Sequence, residues 1–240
     1  MAPNRRPSSL APRDAFPSEP RNETAEEILA VAIRHLEQFG IAGVKIESVL
    51  REAKASTGSL YHFFGSKEEL LIAAEDERYL QLLLSEQQSV LNDVQDFADI
   101  EQFAAWIAGQ LIRMARDERV VEIRKARIKI TGNALHHPQL MSSLITRQHT
   151  LFSAVGSMID GAKAKGFVAD FVDGFGFAAW FHGMTLGLGA IEMTLDDRER
   201  WLKQAIPATL CVLGVPLRLP REVLEDVGLG EDPRFLLQDR

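Results

Sequence analysis

Apolar side chains recur at helical spacing along most of this chain. Ile28, Ala32, Leu36 and Phe39 fall at i, i+4, i+8 and i+11, and Ile46, Val49, Leu50 and Ala53 resume the stripe after a break. Thr24 with Glu27 has the form of a capping box that starts the first helix, and Gly40 stops it. Lys54-Ala55 leaves room only for a sharp corner. Ser56 then stands as the N-cap of a short helix over 57–64, which turns Leu60 and Phe63 or Phe64 inward. Ser66 with Glu69 repeats the capping pattern and opens a long helix running to about residue 91, with Leu70, Ala73, Ala74, Tyr79, Leu82 and Leu83 available for packing. Further helical patterns cover 99–116, 119–133, 138–165, 170–194 and 196–213, punctuated by Gly132-Asn133, His136-His137-Pro138 and Lys165-Gly166. No alternating β pattern occurs, so an all-α fold is expected.

The first helices carry the most information. A short helix with a small, polar front end, braced by a preceding helix, is the device that enters a DNA major groove. Here that front end is Ser56, Thr57, Gly58, Ser59, Tyr61 and His62. Gly58 lets a partner approach the backbone without a Cβ in the way, and Tyr61 offers a ring and a hydroxyl to sugar and phosphate. Lys67, in the first turn of the next helix, can share one phosphate with free backbone N–H groups.

Gly58-Ser59-Leu60-Tyr61-His62-Phe63 followed by Ser66-Lys67-Glu68-Glu69-Leu70 resembles the DNA-binding domain of the TetR family of transcriptional regulators, over roughly Glu23–Leu71. The family usually opens its second helix with a Thr or Ser cap that also touches phosphate. This chain has Lys45 there, which cannot cap but can still reach a phosphate oxygen. The family's corner often holds Gly, where this chain has Lys54-Ala55. The resemblance implies a helix-turn-helix unit followed by a larger helical bundle. It further implies a homodimeric, ligand-responsive repressor on a near-palindromic operator, with DNA contacts from Lys45, Ser56, Thr57, Gly58, Ser59, Tyr61, His62 and Lys67. The domain division expected is 1–21 as a mobile N-terminal arm, 22–70 as the DNA-binding unit, 71–214 as the ligand-binding and dimerisation bundle, and 215–240 as an unassigned tail.

Composition alters this picture at a few points. The 240-residue chain carries a net charge of −7, at odds with a DNA binder until the charges are located. Exposed charges are largely screened beyond about 8 Å at physiological salt, so the local balance decides. Over 45–67 the bases Lys45, Arg51, Lys54 and Lys67 face only Glu47 and Glu52. Residues 1–21 combine Pro3, Pro7, Pro12, Pro17 and Pro20 with Arg5, Arg6, Arg13 and Arg21. That mixture suits a mobile tail or, alternatively, a basic arm along the minor groove. They lack a charged-then-apolar secretory pattern, and Cys211, the lone cysteine, excludes an intrachain disulfide. It lies in an apolar helix and is expected to be buried and inert; a cytoplasmic protein is expected.

The apolar run 175–191 raises the question of a membrane span, but His182, Gly176, Gly183, Gly187 and Gly189 interrupt it, and Asp173 and Glu192 bracket it. A buried bundle helix, with no membrane, is the reading. Gly183 and Gly187 let another helix approach closely. The resemblance implies that the last two long helices form a four-helix dimer interface, here offering Trp180, Met184, Leu188, Ile191, Ala205, Leu210 and Leu213.

No catalytic set is present: nothing matches a nucleophile elbow, a zinc motif or a P-loop, so no enzyme, cofactor or metal site is expected. His136, His137 and His149 read as loop and surface residues, and Gly187-Leu188-Gly189 lies inside a helix, not after a strand. Phe103, Trp106, Met114, Phe152, Phe177, Phe181 and His182 are candidates to line a largely apolar pocket for a small-molecule effector, or to be plain core. Arg124, Lys125, Arg127 and Lys129 read as a solvated basic face, or as the rim of a pocket for an acidic ligand. The alternative function is a helical ligand-binding protein or enzyme that keeps a helix-turn-helix shape without using DNA.

Overall fold

A computed structural model describes residues 22–92, 97–191, 193–217 and 219–230. The arm over 1–21 and the end of the tail over 231–240 lie outside the described residues. The described residues hold helices, turns and loops and no strand: α1 Glu23–Gly43, α2 Ile46–Glu52, α3 Thr57–Phe64, α4 Lys67–Asn92, α5 Ile100–Arg116, α6 Glu118–Ala134, α7 Pro138–Ala164, α8 Gly174–Ala190, α9 Leu195–Leu213 and α10 Arg221–Asp226. The expected all-α fold is what forms.

Two compact units result. One comprises the described residues up to Gln88 together with Ile130–Thr150, and the other the described parts of Ser89–Lys129 and from Leu151 onward. The chain therefore passes from unit to unit at Gln88–Ser89, Lys129–Ile130 and Thr150–Leu151. The helix opened by Ser66 is therefore one of three links between the units among the described residues.

In the first unit, Ile28, Val31, Ala32 and Leu36 of α1 join Ile46, Val49 and Leu50 of α2, Leu60 of α3, and Leu70 and Ala74 of α4 in one buried cluster. The expected stripe Ile46, Val49, Leu50, Ala53 is buried throughout. Two expectations for α1 fail. Its cap is Asn22, whose side-chain oxygen accepts the Thr24 N–H at 2.9 Å, so Thr24 lies inside the first turn. Phe39 is 52% exposed and lies edge-on to His35 instead of pointing inward. Gly40 does end the regular helix, at φ 65°.

Beyond the helix-turn-helix, polar groups grip the next turns of α4. Asp76 accepts from Arg147 Nε at 2.8 Å and Nη2 at 2.6 Å, and from the Ser143 hydroxyl. Asn133 donates to Glu75, and Gln148 donates to the Tyr79 oxygen at 2.8 Å. α4 is thus packed by apolar contacts on its first turns and held by charge-assisted hydrogen bonds after them.

In the second unit, α5 packs along α9, and Phe103, Ile107, Leu111, Leu202, Ile206 and Leu210 fill the space between. Gly156 and Gly174 let α7 and α8 touch: a Cβ on Gly174 would collide with the Gly156 carbonyl oxygen. Arg116 staples this bundle, with paired hydrogen bonds to Glu199 at 2.7 and 2.9 Å and two to Asp226, its carboxylate at 2.7 Å and its backbone carbonyl at 3.0 Å. Those partners hold its pKa above even the usual guanidinium range, Glu199 first, and Glu199 is pushed down in return. α10, in the stretch left unassigned from sequence, buries Leu224 in the same core.

Candidate nucleic-acid interface

The α2–α3 corner is made by Lys54 at φ 51°, a left-handed backbone that a side chain rarely adopts and that explains why glycine suits this corner elsewhere. After it, the Ser56 hydroxyl accepts the Ser59 N–H at 3.0 Å and lies 2.9 Å from the Ser59 hydroxyl. α2 starts at Lys45 with no side-chain cap, as a lysine requires. Leu60 is fully buried and anchors α3, with Phe63 and Phe64 packed against the same core. At about 100° per residue, Thr57, Tyr61, Gly58 and His62 then form one arc turned away from Leu60. All four are exposed, Tyr61 by 53%, while Ser59 is half-buried at the edge.

Gly58 is informative. Its backbone is not in the positive-φ region, and a Cβ built there would meet only the Ser56 hydroxyl at 3.5 Å, an ordinary contact. The fold would accept alanine, which favours helix by about 0.8–1.0 kcal/mol over glycine. The missing Cβ is thus no requirement of the fold.

The charges around the arc sort into two groups. Glu52 is occupied by Arg34 at 2.8 Å and His35 at 2.9 Å, which hold its carboxyl below the usual range, Arg34 foremost. Lys45 and Lys54 are exposed and hold no ion pair among the described residues. Lys67 does hold one, reaching the Glu47 carboxylate at 3.2 Å. Glu47 is held below the usual carboxylate range by its own backbone N–H first and by Lys67 second. Opening α4, Ser66 accepts the Glu69 N–H at 3.0 Å.

The candidate effector residues all fall in the second unit. Phe103 and Met114 are buried; Phe103 lies against Phe97, Trp106 and Phe167. Phe177 stacks on Phe181, and Phe152 lies edge-on to His182. None of the seven lines the surface recess of about 370 Å³ formed by Val121, Lys125, Leu188, Ile191, Met193, Thr194 and Arg198.

Several side chains sit where periodicity did not put them. Arg124 and Arg127 are 1% and 2% exposed, so the basic run divides: the arginines go inside, while Lys129 is exposed and Lys125 half-buried. Arg124 donates to the Met114 carbonyl at 2.9 Å, and Arg127 lies 3.0 Å from His182 Nε2. A guanidinium has no acceptor, so Nε2 accepts and the ring hydrogen sits on Nδ1. A signal existed: 120, 124 and 127 share the face that buries Val120 and Ile130. Cys211 is exposed, not buried. Of the apolar positions assigned to a subunit contact, Trp180 and Ile191 are exposed by 40% and 63%, and Met184 is half-buried. Leu188, Ala205, Leu210 and Leu213 are buried within the chain's own fold. Among the described residues no helix is long and apolar enough to cross a membrane.

Residues 28–74 match the family described as bacterial regulatory proteins, tetR family. The HTH-type transcriptional repressor NicS of Pseudomonas putida is 27% identical over 152 residues, covering 62% of this chain and 68% of that protein. Salmonella enterica GusR superposes with a TM-score of 0.58 at 18% identity, over 80% of this chain and 95% of GusR. A TetR-family regulator from Rhodococcus sp. gives 0.57 at 22% identity, over 78% and 98%. The structural likenesses speak for the fold, and the matched segment is the one that builds the exposed α3 arc and the start of α4. Residues 28–74 thus carry the segment that defines the tetR family of bacterial regulatory proteins, and the fold of the chain is the one that TetR-family regulators share.

Proposed function

We propose that the chain is a homodimeric repressor that binds a near-palindromic operator and releases it when a small molecule occupies the C-terminal bundle. The observation that carries this reading is the α3 arc. Thr57, Gly58, Tyr61 and His62 face solvent on a helix fixed by buried Leu60, with Lys45, Lys54 and Lys67 exposed around it. In this reading Ser56 and Ser59 complete the groove-facing end. Lys45, Tyr61 and Lys67 take phosphate and sugar, and the other residues of the arc meet the base edges.

Two copies must present their α3 helices about 34–36 Å apart to meet successive major grooves. Trp180 and Ile191 on and beside α8, with Gly183 and Gly187 open to close approach, support pairing through this helix; exposed Val212 supports a share for α9. The effector acts by binding better to a conformer with the wrong spacing, and shifts the equilibrium only by that difference in affinity. Its site is proposed among Phe152, Phe177, Phe181 and His182, an apolar wall with one polar group, which favours a largely apolar effector. Such a regulator works in the cytoplasm.

The test is binding to DNA selected from a random pool by the full chain. A complex of two chains per site, with half-sites one helical turn apart, is expected. Lys67→Ala should weaken binding to all sequences alike and flatten the salt slope by about one. Selection that returns no enriched sequence would overturn the regulator reading, and one chain per site would overturn the dimer.

A further inference from the structure

Among the four basic residues of the segment 45–67, one is already neutralised. Lys67 Nζ lies 3.2 Å from Glu47 Oε1, and both side chains are exposed, by 50% and 80%. The other acid of the segment, Glu52, spends its charge on Arg34 and His35, which belong to α1. Glu47 differs: its partner is the cation that begins α4, beside the α3 arc. A DNA phosphate that takes Lys67 must either displace this carboxylate or sit next to it with one ammonium between two anions.

We infer that Glu47 is a specificity-determining residue that competes with DNA phosphate for Lys67 and so limits sequence-independent binding. The inference rests on the regulator reading above. Non-specific affinity is supplied almost wholly by phosphate neutralisation, and each cation engaged adds about one unit to the salt slope. With Glu47 in place, part of Lys67's contribution is cancelled before DNA arrives. Binding elsewhere on a duplex stays weak, and base contacts from α3 must hold the complex. The pair is solvent-exposed, so the effect is modest: pairs of this kind are worth at most a few-fold in an equilibrium constant.

The experiment compares the full chain with Glu47→Gln, Lys67→Ala and the double variant. Each is titrated against a mixed-sequence duplex and against the duplex the wild-type chain selects, over a range of salt. Glu47→Gln is expected to tighten binding to the mixed-sequence duplex about two- to fivefold and steepen its salt slope by up to about one unit. In the Lys67→Ala background the same change should lose more than half of that gain, because the carboxylate acts through the lysine. Glu47→Asp, with a shorter reach, should fall between wild type and Glu47→Gln. Unchanged or weaker binding by Glu47→Gln, with an unchanged melting curve, would overturn the inference. So would a gain that persists in full without Lys67, which would make Glu47 a simple repulsive charge. A wild-type chain that binds neither duplex would instead overturn the regulator reading.

Discussion

Replacing Gly58 by alanine separates what α3 needs in order to fold from what it needs in order to bind. The position is helical with ordinary φ, and the new Cβ would lie 3.5 Å from the Ser56 hydroxyl, with no closer neighbour. No strain offsets the helix preference of alanine, which is worth about 0.8–1.0 kcal/mol in a helix interior and less in a first turn. A gain of about 0.5–1 kcal/mol in unfolding free energy is therefore expected, with a rise in melting temperature of roughly 1–4 °C. Binding should move the other way. A methyl group thrust into a close contact costs about 1–3 kcal/mol, a loss of roughly five- to 150-fold in operator affinity. Thermal melting and titration of the selected duplex, on one preparation, give both numbers. A variant that is more stable and binds operator as well as wild type would show that no partner approaches this backbone. One that is less stable would show that the local geometry is misjudged.

Further perturbations test other parts of the structure. Lys54→Gly should stabilise the chain by about 1 kcal/mol by removing a Cβ from a left-handed corner, and a loss measured by denaturant titration would contradict the φ of 51°. Gly174→Ala should destabilise by about 1–3 kcal/mol or more, since its Cβ would meet the Gly156 backbone, which cannot give as a flexible side chain would. Glu75 is 2% exposed, and burial pushes its carboxyl above the usual range against the opposing pull of Arg78 and Asn133. A raised folded pKa favours the protonated form. The stability of wild type relative to Glu75→Gln should therefore be greatest below the ordinary glutamate value and fall as pH rises through the shifted one. Melts of both proteins at several pH values check this, and a difference that stays flat or grows with pH contradicts it.

The helix-turn-helix was legible because its signals are local. A cap acts on N–H groups within the next turn, so Ser56 and Ser66 could be placed from their neighbours alone, and both cap as expected. The stripe of α2 has one apolar face and one polar face, which leaves no choice about which side is buried. Even locally there was one tie. Asn22 and Thr24 are both capping residues, and the choice fell to Asn22 through a hydrogen bond that the sequence does not rank.

What sequence could not give was direction on helices that are apolar or mixed all round. α8 is hydrophobic on nearly every side, so periodicity does not say that Phe177 and Leu188 turn inward while Trp180 turns out. On α9 the richest apolar positions, Ala205, Leu210 and Leu213, are claimed by the chain's own core. The arginines of α6 show the same limit from the other side. Charge argues for solvent, yet neighbouring helices bring the Met114 carbonyl and the His182 ring to Arg124 and Arg127, and buried guanidinium groups become tolerable. Local patterns were enough for the elements and for the exposed face of α3, because hydrogen bonds within a turn and a single apolar stripe suffice for those. Packing settled which apolar faces stay exposed and which charges go inside, because each depends on what distant segments place opposite it.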